Sequence, residues 1–90
     1  MSITVKIPAA LRTMSKTDAV QVEAASVKAA IEALDQKVPG IASRICTELG
    51  TPRRHVLIYV DQVDIRELNG METPLRGSEI VHIIAAVSGG

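Results

Sequence analysis

Apolar side chains at Ile3, Val5 and Ile7 alternate with Thr4 and Lys6, a period of two that predicts a strand buried on one face. Pro8 should end it, because proline brings no N–H to a strand ladder. Ala9 to Asp18 carries Ser, Thr and Lys and is expected to be a loop. Val20 and Val22 alternate with Gln21 and Glu23, which predicts a second strand paired antiparallel with the first through a loose connection.

The period then changes. Val27, Ala30, Ile31, Leu34 and Val38 recur at helical spacing and fall on one narrow stripe, with Lys28 and Glu32 four apart on the wet side. Ser26 is placed to cap the first turn, and Pro39-Gly40 stops the helix. Ile41 to Leu49 reads as a short helical turn, and Gly50 to Arg54 as a loop. Val56-Leu57-Ile58-Tyr59-Val60 is almost continuously apolar and rich in β-branched residues, which predicts a central strand buried on both faces. Asp61-Gln62 is a turn before a short segment, Val63 to Arg66. Further turns follow at Asn69-Gly70 and between Pro74 and Gly77. Ile80 to Ile84 is the last strand. After it, 85–90 (Ala-Ala-Val-Ser-Gly-Gly) has no helical period and is expected to be an extended, mobile tail.

The order strand, strand, helix, strand, short elements, strand sets two hairpins around one crossover helix. That is an α+β arrangement, a mixed sheet with one main helix on a single face: the β-grasp. Residues 1–84 form the domain and 85–90 its tail.

Composition narrows the function classes. With 90 residues there is room for one domain and one core, and little surface for a deep substrate pocket. Tyr59 is the only aromatic residue, which removes the stacking platforms of single-strand nucleic-acid binders. Ten Lys+Arg balance ten Asp+Glu, so there is no basic footprint for nucleic acid either. Every apolar run is too short for a membrane span, and the N-terminus lacks the apolar stretch of a signal peptide. Cys46 stands alone and admits no internal disulfide, in keeping with a reducing, cytoplasmic setting.

The chemistry-bearing feature is the ending. A carboxylate is inert to nucleophiles until it is adenylated, and adenylation requires the terminus to enter another protein's active site. Gly89 and Gly90 have no Cβ, so the backbone there can thread a narrow channel. An acyl-adenylate at Gly90 could accept sulfide to give a thiocarboxylate, or an amine to give an amide.

Here the chain resembles a known family. Ile83-Ile84-Ala85-Ala86-Val87-Ser88-Gly89-Gly90 resembles a signature typically written Ile-Ile-Pro-Ala-Val-Ala-Gly-Gly. Leu68 to Leu75 resembles a Leu-Asp-Gly-Leu-Asp-Thr-Pro-Leu stretch, Ile58 to Arg66 the central strand and turn, and Ile7-Pro8-Ala9-Ala10-Leu11-Arg12 the exit of the first strand. The family is that of the ThiS/MoaD-type ubiquitin-like sulfur carriers, and the length and the Ile-Pro-Ala-Ala-Leu-Arg start look most like its cysteine-biosynthesis branch. The resemblance implies a carrier rather than an enzyme. Gly90 would be adenylated by a ubiquitin-activating-type partner that uses ATP, while the chain itself binds no cofactor. A PLP-dependent cysteine synthase would accept the sulfur, and a peptidase would release cysteine. The small subunit of molybdopterin synthase and a modifier joined to lysines are the alternatives. Gly89, Ser88, Val87 and Ala86 would thread or guide the tail, and Ile84 and Ile80 would dock the partner. Two departures stand out: Ala85 replaces the usual Pro, and Gly77-Ser78 stands where Asp-Gly is common.

Other candidates read as structural. Cys46 lies near Ile41, Ile45 and Leu49 and should behave as a small buried hydrophobe. His55 and His82 have no second ligand at metal-site spacing, so no metal site is assigned, and His82 should face outward from its strand. Arg53-Arg54 should be a solvated loop, with an acidic partner surface as the alternative. No glycine-rich phosphate cradle is present. If Val81 and Ile83 face the helix, Ile80 and Ile84 face away, either as an exposed apolar docking patch beside the tail or beneath a loop that covers them.

Overall fold

The computed structural model describes residues 2–85. Its sheet is built from β1 (Ser2–Lys6), β2 (Ala19–Glu23), β3 (Val56–Val60), β4 (Val63–Asp64) and β5 (Ile80–Ala85) in the spatial order β2-β1-β5-β3-β4. β1 and β5 are parallel, and the other neighbouring pairs are antiparallel. The helix α2 (Val27–Lys37) makes the crossover, preceded by the single turn α1 (Arg12–Ser15) and followed by α3 (Ile41–Ile45). This is the mixed sheet with one covering helix that the sequence pattern predicts.

Period-two alternation fixes which face is covered. Ile3, Val5, Val22, Val56, Ile58, Val60, Val81 and Ile83 are buried, and Val27, Ala30, Ile31 and Leu34 of α2 are buried against them. Each such side chain contributes about 1.5–3 kcal/mol relative to exposure, so this single layer is the main source of stability. The start of α2 is closed from two directions. Ser26 Oγ accepts the Ala29 N–H at 3.1 Å, while the Val27 N–H is donated to the carbonyl of Thr73 at 3.0 Å. The second bond ties the long segment before β5 to the helix. At the other end Asp35 Oδ1 accepts from the N–H groups of Gly40 and Ala42, both at 3.0 Å. Gly40 turns the chain there at φ 93°, a backbone region that favours glycine.

Two expectations need correction. The stretch from Ala9 to Asp18 is not a plain loop: a 3-10 turn, Ala9–Leu11, runs into α1. Leu11 and Met14, one helical turn apart, pack against the core and hold this turn despite its polar composition. The second correction concerns β3, which is neither the middle strand nor buried on both faces. β5 lies in the middle, and Leu57 and Tyr59 of β3 are half-buried on the side without helices. The continuous apolar run encodes one core face and one apolar outer face, rather than two covered faces. β5 also runs one residue beyond the expected strand, taking in Ala85, whose register partner is Val56.

The turn before β5 explains one departure from the family pattern. Ser78 has φ 73°, a left-handed conformation that costs an L-residue roughly 1 kcal/mol and glycine little. Glycine at this position therefore suits the turn. Ser78→Gly should raise stability by up to about 1 kcal/mol in urea unfolding, and a loss of stability would show that the serine side chain matters there.

Candidate functional site

β5 carries the chain from the core to its C-terminal segment. Its start is pinned by carboxylates. Asp61 Oδ1 accepts the Ile80 N–H at 3.0 Å, and Glu79 accepts the N–H groups of Arg76 and Gly77 at 2.9 and 2.7 Å. These bonds hold the Glu79 carboxyl below its ordinary range, the Arg76 N–H most of all. It is paired on both sides as far as His82, which registers with Lys6 of β1 and Tyr59 of β3; beyond it Ile83, Ile84 and Ala85 register with Ile58, Leu57 and Val56 of β3.

On the uncovered face, Ile80, His82 and Ile84 alternate with buried Val81 and Ile83, the outward register expected for His82. Ile84 is 46% exposed, and its cross-strand partner Leu57 is half-buried beside it. Tyr59 sits in the same row as His82 and Lys6. Ile80 and Ile84 thus form part of an outer apolar surface, to which Leu57 and Tyr59 must be added. Sequence reasoning missed those two because it gave β3 two buried faces; the signal was available in the period-two pairing with β5. Gly90, Gly89, Ser88, Val87 and Ala86 lie outside the described residues.

The remaining candidates do not converge. His55 is exposed on the loop before β3, while the cross-strand partner of His82 is Tyr59. Among the described residues, no group of His, Cys, Asp and Glu side chains comes together in a set that could hold a metal ion. A hollow of about 530 Å³ lies between the Gly50–Arg54 loop and the Gly70–Glu72 turn. Its cations are partly committed: the Arg66 guanidinium pairs with Asp64 at 2.8 Å, and Arg53 Nε donates to the Ser43 carbonyl at 2.8 Å. No helix among the described residues is long and apolar enough to cross a membrane.

Cys46 is 8% exposed within the core cluster. Burial pushes its thiol up, and the nearby Arg53 offsets this in part. The thiol thus stays protonated to higher pH than an exposed cysteine. Alkylation by iodoacetamide should be slow in the folded protein, with its rate rising at higher pH than for a model thiol, and should become fast on denaturation. Rapid labelling of the native protein near neutral pH would contradict the structural assignment.

The fold has close counterparts. The model of the ThiS family matches residues 5–90. The chain belongs to the ThiS family. The sulfur carrier protein CysO of Mycobacterium tuberculosis (strain H37Rv) is 32% identical over 93 aligned residues covering 100% of both chains. A chain in the crystal structure of the Amycolatopsis orientalis BexX/CysO complex superimposes with a TM-score of 0.90 at 30% identity, covering 98% of this chain and 99% of that one. The solution structure of small archaeal modifier protein 1 from Methanosarcina acetivorans gives a TM-score of 0.83 at 26% identity, covering 99% and 96%. The fold is therefore the ubiquitin-like β-grasp, in a family of small carriers.

Proposed function

We propose that this ThiS-family chain is a sulfur carrier of the cysteine-biosynthesis type, and that its reagent is the carboxylate of Gly90. The observation that carries the reading is full-length similarity to CysO sulfur carriers. The described strand leading into the C-terminal segment, with an apolar face beside it, is consistent with that reading.

The chemistry follows from what a carboxylate lacks. Oxide is too poor a leaving group for substitution at the Gly90 carbonyl. A carboxylate oxygen of Gly90 attacks the α-phosphorus of ATP in the activating enzyme, and pyrophosphate leaves. Sulfide then displaces AMP from the acyl-adenylate, leaving a thiocarboxylate. That sulfur would replace the activated oxygen leaving group of a serine derivative on a PLP-dependent synthase, giving a thioester; transfer of the acyl group from sulfur to the cysteine amine forms an amide, which a peptidase hydrolyses to release cysteine and restore the Gly90 carboxylate. In this scheme the chain is a co-substrate and performs no turnover alone. The ATP-dependent first step and the lone Cys46 fit a cytoplasmic setting.

Ile80 and Ile84, with Leu57 and Tyr59, supply the docking surface for the activating enzyme. Gly89 and the small residues Ala86, Val87 and Ser88 thread its channel. The A. orientalis structure is a complex of CysO with BexX, which supports the view that such carriers act through partner proteins. A second reading, a modifier joined to lysines through the same adenylate, draws on the similarity to small archaeal modifier protein 1.

Deletion of Gly90 should abolish ATP–pyrophosphate exchange by the activating enzyme, and exchange that survives it would overturn the tail chemistry. The double variant Ile80→Ser/Ile84→Ser should fold normally, by circular dichroism, and raise the KM for the carrier about tenfold or more, equivalent to ~1.4 kcal/mol or more of lost contact. Unchanged kinetics in a folded variant would remove the outer face from the docking surface.

A further inference from the structure

The end of β5 is electrically unlike its start. At the start lie Asp61 and Glu79, with their carboxylates on backbone N–H groups and Arg76 beside them. At the end, a hollow of about 330 Å³ is walled by Lys6, Arg12 and His82 together with Pro8, Ile84 and Ala85, and no residue lining it is acidic. Arg12 Nε donates to the Ile7 carbonyl at 3.1 Å, which fixes the guanidinium at the wall and leaves its terminal nitrogens for an outside acceptor. On the other flank, Ala85 registers with Val56, and the residues just before Val56 are the exposed Arg54 and His55. Two sets of acids come near: the Asp18 backbone carbonyl accepts the Ile7 N–H, and Asp64 and Glu72 line the larger hollow that Arg54 also lines. Because the chain is neutral overall, with ten basic and ten acidic residues, this clustering is a local feature and not a reflection of net charge.

We propose that these side chains form a cationic collar around the root of the C-terminal segment, and that the collar docks an acidic surface at the mouth of the activating enzyme's channel. The proposal rests on the sulfur-carrier reading for the identity of the partner. Distance selects a protein surface over the nucleotide. Five residues, Ala86 to Gly90, separate the collar from the reacting carboxylate, a chain length of up to about 17 Å at ~3.4 Å per residue. The two flanks stand on β1 and on the approach to β3, two strand spacings or about 10 Å apart with β5 between them. A matching partner therefore carries carboxylates on both sides of its entrance, with an apolar contact between them for Ile84. Such complementarity acts chiefly on association rate and on the direction in which the tail arrives.

The test uses a capped hexaglutamate peptide titrated into the ¹⁵N-labelled protein. Amide shifts should cluster at Lys6, Arg12, Arg54, His55, His82 and Ala85. They should fade as salt rises from about 0.05 to 0.5 M, where the screening length drops to a few ångströms. They should vanish in Lys6→Glu/Arg12→Glu/Arg54→Glu, and Arg12→Glu/Arg54→Glu, confined to exposed positions, serves if the triple variant melts early. Absent or scattered shifts, or shifts that persist in the variants, overturn the collar. Inorganic phosphate producing the same shifts at lower concentration would make this a phosphate site and overturn the acidic-surface assignment. In the source cells the folded variant should accumulate Gly90 thiocarboxylate at least about tenfold more slowly than wild type, and equal accumulation overturns the docking role. If wild type forms none, the carrier reading fails, while the peptide titration still decides whether the collar exists.

Discussion

Two-sided pairing of β5 is the constraint on which the rest of the structure depends. β5 is the last strand in sequence yet lies in the middle of the sheet, parallel to β1 and antiparallel to β3. The core layer cannot close until the C-terminal strand has been inserted, with Ile80 to His82 held between β1 and β3 and Ile83 to Ala85 held by β3. The last described residue of β5, Ala85, therefore has a fixed place in the sheet, opposite Val56 of β3. That link between packing and function explains how so small a domain can serve as a handle.

The one-sided helix layer is the second half of the same design. With α2 and α3 on one face, the alternation of β5 and β3 must place as many side chains on the bare face as in the core. Several of these are apolar: Ile80, Ile84, Leu57 and Tyr59. In a domain this small, an apolar face left open loses burial energy that the core could have used. Recognition by a partner is the compensating use, and its position next to the root of the C-terminal segment is imposed by the register.

Much of this was legible from residue patterns. The stripe Val27–Ala30–Ile31–Leu34 and the cap at Ser26 were clear because helical spacing, capping chemistry and the Pro39-Gly40 stop agree. The outward register of Ile80, His82 and Ile84 followed from simple alternation. What was not legible depended on neighbours. The apolar run of β3 looks the same whether its second face meets a helix or a binding partner, so Leu57 and Tyr59 were assigned to the interior. The turn at Ala9–Ser15 is held by tertiary contacts of Leu11 and Met14, which no local propensity reports. The basic side chains at the end of β5 are scattered in sequence at Lys6, Arg12 and Arg54, and only the strand order brings them together.

The central claim is that Gly90 carries sulfur. The intact mass of the untagged protein, purified from its own cells under conditions that preserve thioacids, tests it most directly. The account predicts a species heavier by one sulfur-for-oxygen exchange, with the added mass mapping to Gly90 on fragmentation. Recovery of only unmodified chain and lysine-linked adducts, with sulfide and the activating enzyme present, would contradict it.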